Sequence, residues 1–113
     1  MVTLTVPSAG TLVITSTVHA WIDHTVGTPD LWHFAHSTSP TSCAPAPDTI
    51  DHYAFYWASL ATEVFDETGT MVNGISISGA GTYTYFLNTD MPVGQSAGDM
   101  ISQAETVMVF YPS

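Results

Sequence analysis

Alternation of side-chain type at every second residue, recurring in stretch after stretch, is what most limits the folds open to this chain. The clearest case follows the turn Gly79-Ala80-Gly81. There Thr82, Thr84, Phe86 and Asn88 alternate with Tyr83, Tyr85 and Leu87, the period of a strand with two unlike faces. Val2 to Val6 alternates in the same way. From Thr11 to His24, Leu12, Ile14, Val18, Ala20 and Ile22 fall on one face, and Thr11, Thr15, Thr17, His19, Trp21 and Asp23 on the other. That segment is long for one flat strand, which predicts a bend near Ser16-Thr17 and service in two sheet regions.

Leu31 to His36 reads as a strand that buries Trp32 and Phe34. His52 to Leu60 reads as another, with Tyr53, Phe55 and Trp57 opposite Ala54, Tyr56 and Ala58. Thr68-Gly69 is expected to close a turn before a strand in Met71 to Ser78, with Ile75 and Ile77 inward. Asp90 to Asp99 is expected to be a polar loop, and Glu105 to Pro112 a terminal strand. The long Pro-, Ser- and Thr-rich stretch from Ser37 to Asp51 predicts an irregular surface loop. The 113 residues are thus expected to form one domain, residues 1–113, an all-β antiparallel sandwich of about seven to eight strands, jelly-roll-like.

Charge narrows the partners. The chain has no Lys and no Arg against ten Asp and Glu, a formal net charge of −10. No pair of permanently charged side chains can form. Only five histidines and the amino terminus can carry positive charge. Nothing can neutralise phosphates, so nucleic-acid binding is excluded, as is attraction to anionic membranes. No stretch has the unbroken apolar length for membrane insertion, and trypsin has no site to cut. No export leader is legible at Met1, which is read as an addition to a trimmed chain. Cys43 stands alone and can pair only with another chain.

Chemistry-bearing patterns are few. His33-Phe34-Ala35-His36 has a chelating spacing on a helix, but on a strand its odd offset sends the two rings to opposite faces. His33 and His36 are the candidate metal ligands. His19 and Asp23 share a face with Trp21 between them. With Trp32 they make the candidate ligand-binding group, for a glycan or a metal. Calcium is the candidate cofactor, through loop carboxylates such as Asp48 with Asp51 or Asp66 with Glu67. No Gly-x-Ser-x-Gly elbow and no phosphate loop is present, so a non-catalytic chain is expected ahead of a small hydrolase.

Gly81-Thr82-Tyr83-Thr84-Tyr85-Phe86, preceded by Ile75-Ser76-Ile77-Ser78-Gly79 and followed by a short aromatic terminal strand, resembles the Gly-x-Tyr-x-Phe core of jelly-roll domains in the tumour necrosis factor and complement-like superfamily. The resemblance implies a sandwich of about ten strands, a trimer packed through aromatic faces, and ligand binding rather than catalysis. The expected role is a structural or binding module that is secreted, on a cell surface or in a virion. It would act as a homo-oligomer or on other proteins or glycans, with Tyr56, Tyr83, Tyr85, Phe86 and Phe110 as the assembly residues.

Overall fold

The computed structural model describes residues 1–113. It is all-β: β1 (Val2–Val6), β2 (Gly10–His24), β3 (Asp30–Ser37), β4 (His52–Tyr56), β5 (Glu63–Ile77), β6 (Gly81–Val93) and β7 (Met100–Pro112). Two antiparallel sheets face each other, one ordered β1-β6-β3-β4 and the other β5-β2-β7. Every connection except β3–β4 passes from one sheet to the other. The result is a β-sandwich of seven strands, fewer than the resemblance implies, drawn out to 52 × 21 × 21 Å. It has no helix long and apolar enough to cross a membrane.

The alternation sets the inner faces. Leu12, Ile14, Val18 and Ile22 of β2 are buried and meet residues from both sheets in two adjoining clusters. Around Leu12 and Ile14 stand Val6, Ile75, Ile77 and Tyr85. Around Val18 and Ile22 stand Trp32, Phe34, Tyr56 and Met71. Each fully buried large apolar side chain contributes about 1.5–3 kcal/mol relative to exposure.

Three local expectations are corrected. β2 does not bend into two sheets at Ser16-Thr17. It pairs with β5 along its whole length, and its one irregularity lies at His19/Ala20 against β7. There Ser102 is the extra residue and donates from Oγ to the His19 carbonyl at 3.2 Å. Thr68-Gly69 is not a turn but lies inside β5. Gly69 faces inward, and a Cβ there would stand 2.5 Å from Cε1 of Phe34, so glycine makes room for a ring of the opposite sheet. The loop expected over Asp90 to Asp99 shrinks to 94–99, because β6 runs on to Val93 and β7 starts at Met100.

The stretch between β3 and β4 is only partly a surface loop. The Ala46 amide donates to the His36 carbonyl at 2.7 Å, and Ala46 is buried in the first cluster. Asn88 of β6 donates from Nδ2 to the carbonyls of Ser39 and Ser42, both at 2.7 Å. This segment therefore folds back along β3, and its Ser39–Ser42 part is pinned by Asn88 on the outer face of β6.

Candidate functional site

Histidines occupy the polar centres of the fold. His36 points between the sheets and is fully buried, with Ser16 and Asn73 beside it. The Asn73 amide is oriented by the backbone of Ile50, whose N–H donates to Oδ1 at 2.8 Å and whose carbonyl accepts from Nδ2 at 3.1 Å. The other Nδ2 hydrogen then goes to His36 Nδ1 at 2.9 Å. This leaves the ring proton on Nε2, which donates to Ser16 Oγ at 2.7 Å. Ser16 in turn donates to Thr106 Oγ1 at 2.8 Å. Burial pulls His36 down to about 4, which suits a ring that is neutral in this network.

Ser, His and Asn in a row resemble a nucleophilic triad, but the polarity is reversed. A base would accept the serine proton, and its third partner would accept from the ring. Here the ring donates to serine and accepts from asparagine, out of reach of solvent.

His24 meets acceptors on both nitrogens: the Asp30 carboxylate on Nδ1 and the Leu60 carbonyl at 3.2 Å on Nε2. His24 and Asp30 are both buried and bracket the turn between β2 and β3. Held at both nitrogens, the ring ties the β2–β3 turn to the segment around Leu60.

His33 lies on the outer face of β3, yet is only 6 % exposed. Its Nδ1 meets Asp90 Oδ1 at 2.8 Å and its Nε2 meets Asp51 Oδ2 at 3.1 Å. Tyr53, its cross-strand neighbour, stacks on the ring at 4.5 Å between centroids and donates to the same Asp51 oxygen at 3.1 Å. That bond, first, pushes the Tyr53 hydroxyl up. Cys43 joins from the long connection. Ligand atoms of His33, Cys43 and Asp90 all lie within 4.8 Å of one another. Burial first, then the charge of Asp90, push the Cys43 thiol up. That opposes a reactive thiolate, and both histidine nitrogens already face carboxylates, so this trio is not arranged as a cysteine nucleophile with its base.

The candidate residues read from the sequence are dispersed. His33 and His36 sit on opposite faces of β3 and share no ligand, as strand parity requires. Trp21 is 44 % exposed on the outer face of β2, with His19 and Asp23 on the same face. The row across the sheet there is Asp66, Trp21 and Met100. His19 pairs through Nδ1 with Thr68 Oγ1 at 2.9 Å. Trp32 does not join them: it is buried on the inner face of the other sheet, its Nε1 donating to Thr89 Oγ1 at 2.6 Å. There it lines a cavity of about 160 Å³ with Ile22, Met91 and Ile101.

Of the assembly residues, Tyr56 and Tyr85 are buried, and Tyr83 and Phe110 pack against the first cluster. Phe86, paired with Ser37, is the one turned to the outer face. Tyr56 donates to Glu67; burial, then this bond, push its hydroxyl up. Tyr56, Tyr83, Tyr85 and Phe110 thus serve the chain's own interior.

The carboxylate pairs also separate. Asp66 and Glu67 are neighbours in β5 and face opposite ways, and Asp51 is committed to His33 and Tyr53. Asp99 accepts from the amides of Asp23 at 2.9 Å and Ser96 at 2.7 Å.

Asp90 as the partner of His33 and Cys43 carried no sequence signal, because the three come from distant segments with no shared motif. Asp51 and Tyr53 carried a faint signal, since residues two apart at a strand entry share a face.

The exposed aromatics lie elsewhere. β4 is an edge strand, paired only with β3. Along its outer face and just beyond, Tyr53, Phe55 and Trp57 are 55 %, 46 % and 68 % exposed. Phe55 and Trp57 pack edge to face at 4.9 Å. No protein-family model, no curated protein and no solved structure matches the chain.

Proposed function

We propose that the protein is a non-catalytic binding and assembly module of a secreted, surface or virion structure, and that it joins copies of itself through the β4 edge. The observation that carries this reading is the row Tyr53, Phe55 and Trp57, open to solvent along and just past a strand whose second edge is unpaired. Free edge amides and carbonyls pair readily with another strand, and soluble proteins usually blunt such an edge with Lys, Pro or a bulge. β4 has none of these: its register with β3 is regular and its residues are His-Tyr-Ala-Phe-Tyr. Large aromatic rings supply most of the contact energy at interfaces.

The net charge of −10 works against self-association at neutral pH and low salt. Association should therefore strengthen with added salt or as the pH approaches the pI near 4.2. Light scattering across protein concentration tests this. A dimer or larger species is expected, and Trp57→Ser together with Phe55→Ser should weaken it at least tenfold. A stable monomer at high concentration in high salt would sink the assembly reading.

One observation favours a second reading. The half-exposed Trp21 indole beside Asp66 and Asp23 offers a flat apolar face next to hydrogen-bond acceptors, which suits a sugar ring. A glycan panel compared between wild type and Trp21→Ala separates it from self-assembly.

A further inference from the structure

We propose that His33, Cys43 and Asp90 form a divalent-metal site of the zinc type, with Asp51 as the carboxylate that positions the histidine. The donor set comes first. An imidazole nitrogen, a thiol sulfur and a carboxylate oxygen within 4.8 Å of one another are the ligand types zinc takes, and three protein ligands leave one position open. Sulfur also discriminates against calcium and magnesium, which prefer all-oxygen shells.

The surroundings supply a second argument. A histidine ligand characteristically donates its other ring N–H to a carboxylate, which fixes the ring and raises its basicity. Here Nδ1 faces Asp90 and the ligand cluster, while Nε2 meets Asp51 at 3.1 Å. Asp51 is itself held by the Tyr53 hydroxyl at 3.1 Å, and the Tyr53 ring is stacked on the imidazole. The remaining ligand is also preplaced, because Asn88 clamps the carbonyl of Ser42, the residue before Cys43. His33 is thus oriented for ligation by groups that are not themselves ligands.

Charge supplies a third. Asp90 and Asp51 share a chain with no Lys or Arg, so apart from His33 only an external cation can balance them here. On binding, the metal takes the place of the proton on His33 Nδ1 and of the Cys43 thiol proton, and both are released to solvent. A thiolate and a carboxylate then neutralise a divalent ion.

The test uses protein prepared without an affinity tag and stripped with a chelator that is then removed. Cobalt(II) is titrated as the spectroscopic probe. The expected result is one equivalent bound, with a thiolate-to-cobalt charge-transfer band that zinc abolishes by displacement. Zinc should raise the melting temperature and calcium should not. Cys43→Ser should remove the band and weaken zinc binding at least tenfold. Asp51→Asn should weaken it by about 10–100-fold while keeping the band, as befits a positioning residue. In unaltered protein, zinc should slow alkylation of Cys43, and chelator should restore it. No charge-transfer band, alkylation indifferent to zinc, or zinc affinity unchanged in Cys43→Ser would each overturn the site. None of these readouts depends on whether the β4 edge mediates assembly.

Discussion

His33 and His36 are three residues apart on one strand and live under opposite chemistry. His36 faces inward, where an amide hydrogen and one hydroxyl meet its two nitrogens and burial holds it neutral. His33 faces outward between two carboxylates, under a tyrosine ring. The strand's two-residue period alone assigns them. The difference shows how a chain without Lys or Arg uses its few titratable bases: one as a neutral connector between sheets, another as a partner for two of its acids.

The largest effect should come from breaking the inner network. His36→Leu leaves one Asn73 hydrogen and the acceptor side of Ser16 without partners, a cost of about 3 kcal/mol at pH 7. The wild type should also carry an acid limb that this variant lacks. In the unfolded chain the histidine takes its proton near 6.5, whereas in the folded chain it does so only at about 4. Between those values the unfolded state holds the extra proton. The contribution is therefore complete above about pH 6.5 and is lost as the pH falls through about 4, amounting to about 3 kcal/mol in all. Urea denaturation of both proteins from pH 7.5 to 4 reads this. Parallel curves would show that His36 is not the neutral connector.

A smaller contrast lies on β5, which carries one glycine on each face. A Cβ at Gly69 would fall 2.5 Å from Phe34 Cε1 and 2.8 Å from Cζ, whereas at Gly74 the nearest neighbour is Thr11 Cγ2 at 3.9 Å. Gly69→Ala should cost about 2 kcal/mol by overpacking. Gly74→Ala should be neutral or stabilise by about 0.5 kcal/mol, through the reduced entropy of the unfolded chain. Thermal denaturation of the pair checks it; equal effects would mean that the inner face yields as easily as the outer.

Gly69 also marks the limit of what the residues disclose. The faces of β2, β3 and β6 were legible, because Leu12 through Ile22, Trp32 with Phe34, and Tyr83 with Tyr85 alternate cleanly. The continuity of β5 was not: Thr68-Gly69 is a turn signal by local chemistry, and the reason for glycine there is a ring in the opposite sheet. The same holds for the site. Exposure of Trp21 could be inferred from its polar neighbours on the strand. The meeting of Cys43 with His33 and Asp90 depends on how the 38–51 segment folds back and where Asn88 clamps it, which no local pattern encodes. His24 and Asp30 were closer to legible, since they bracket a turn six residues apart.

The smallest effect concerns His33 itself, and it separates the two histidines by mechanism rather than size. In metal-free protein, His33→Gln removes the base between Asp51 and Asp90, and glutamine can satisfy only one of the two carboxylates with its amide. The Asp90 side chain is 47 % exposed and that of Asp51 is 21 % exposed, so water replaces much of what is lost. The cost should be about 1 kcal/mol at pH 7. Because the variant leaves neighbouring negative charges facing each other near solvent, raising the salt should shrink its deficit. The His36→Leu deficit arises from unpaired neutral groups in the interior and should not respond to salt. Denaturation of the three proteins at low and high sodium chloride measures both. If the His33 deficit held constant while the His36 deficit fell, the assignment of one ring to charge balance and the other to neutral connection would be reversed.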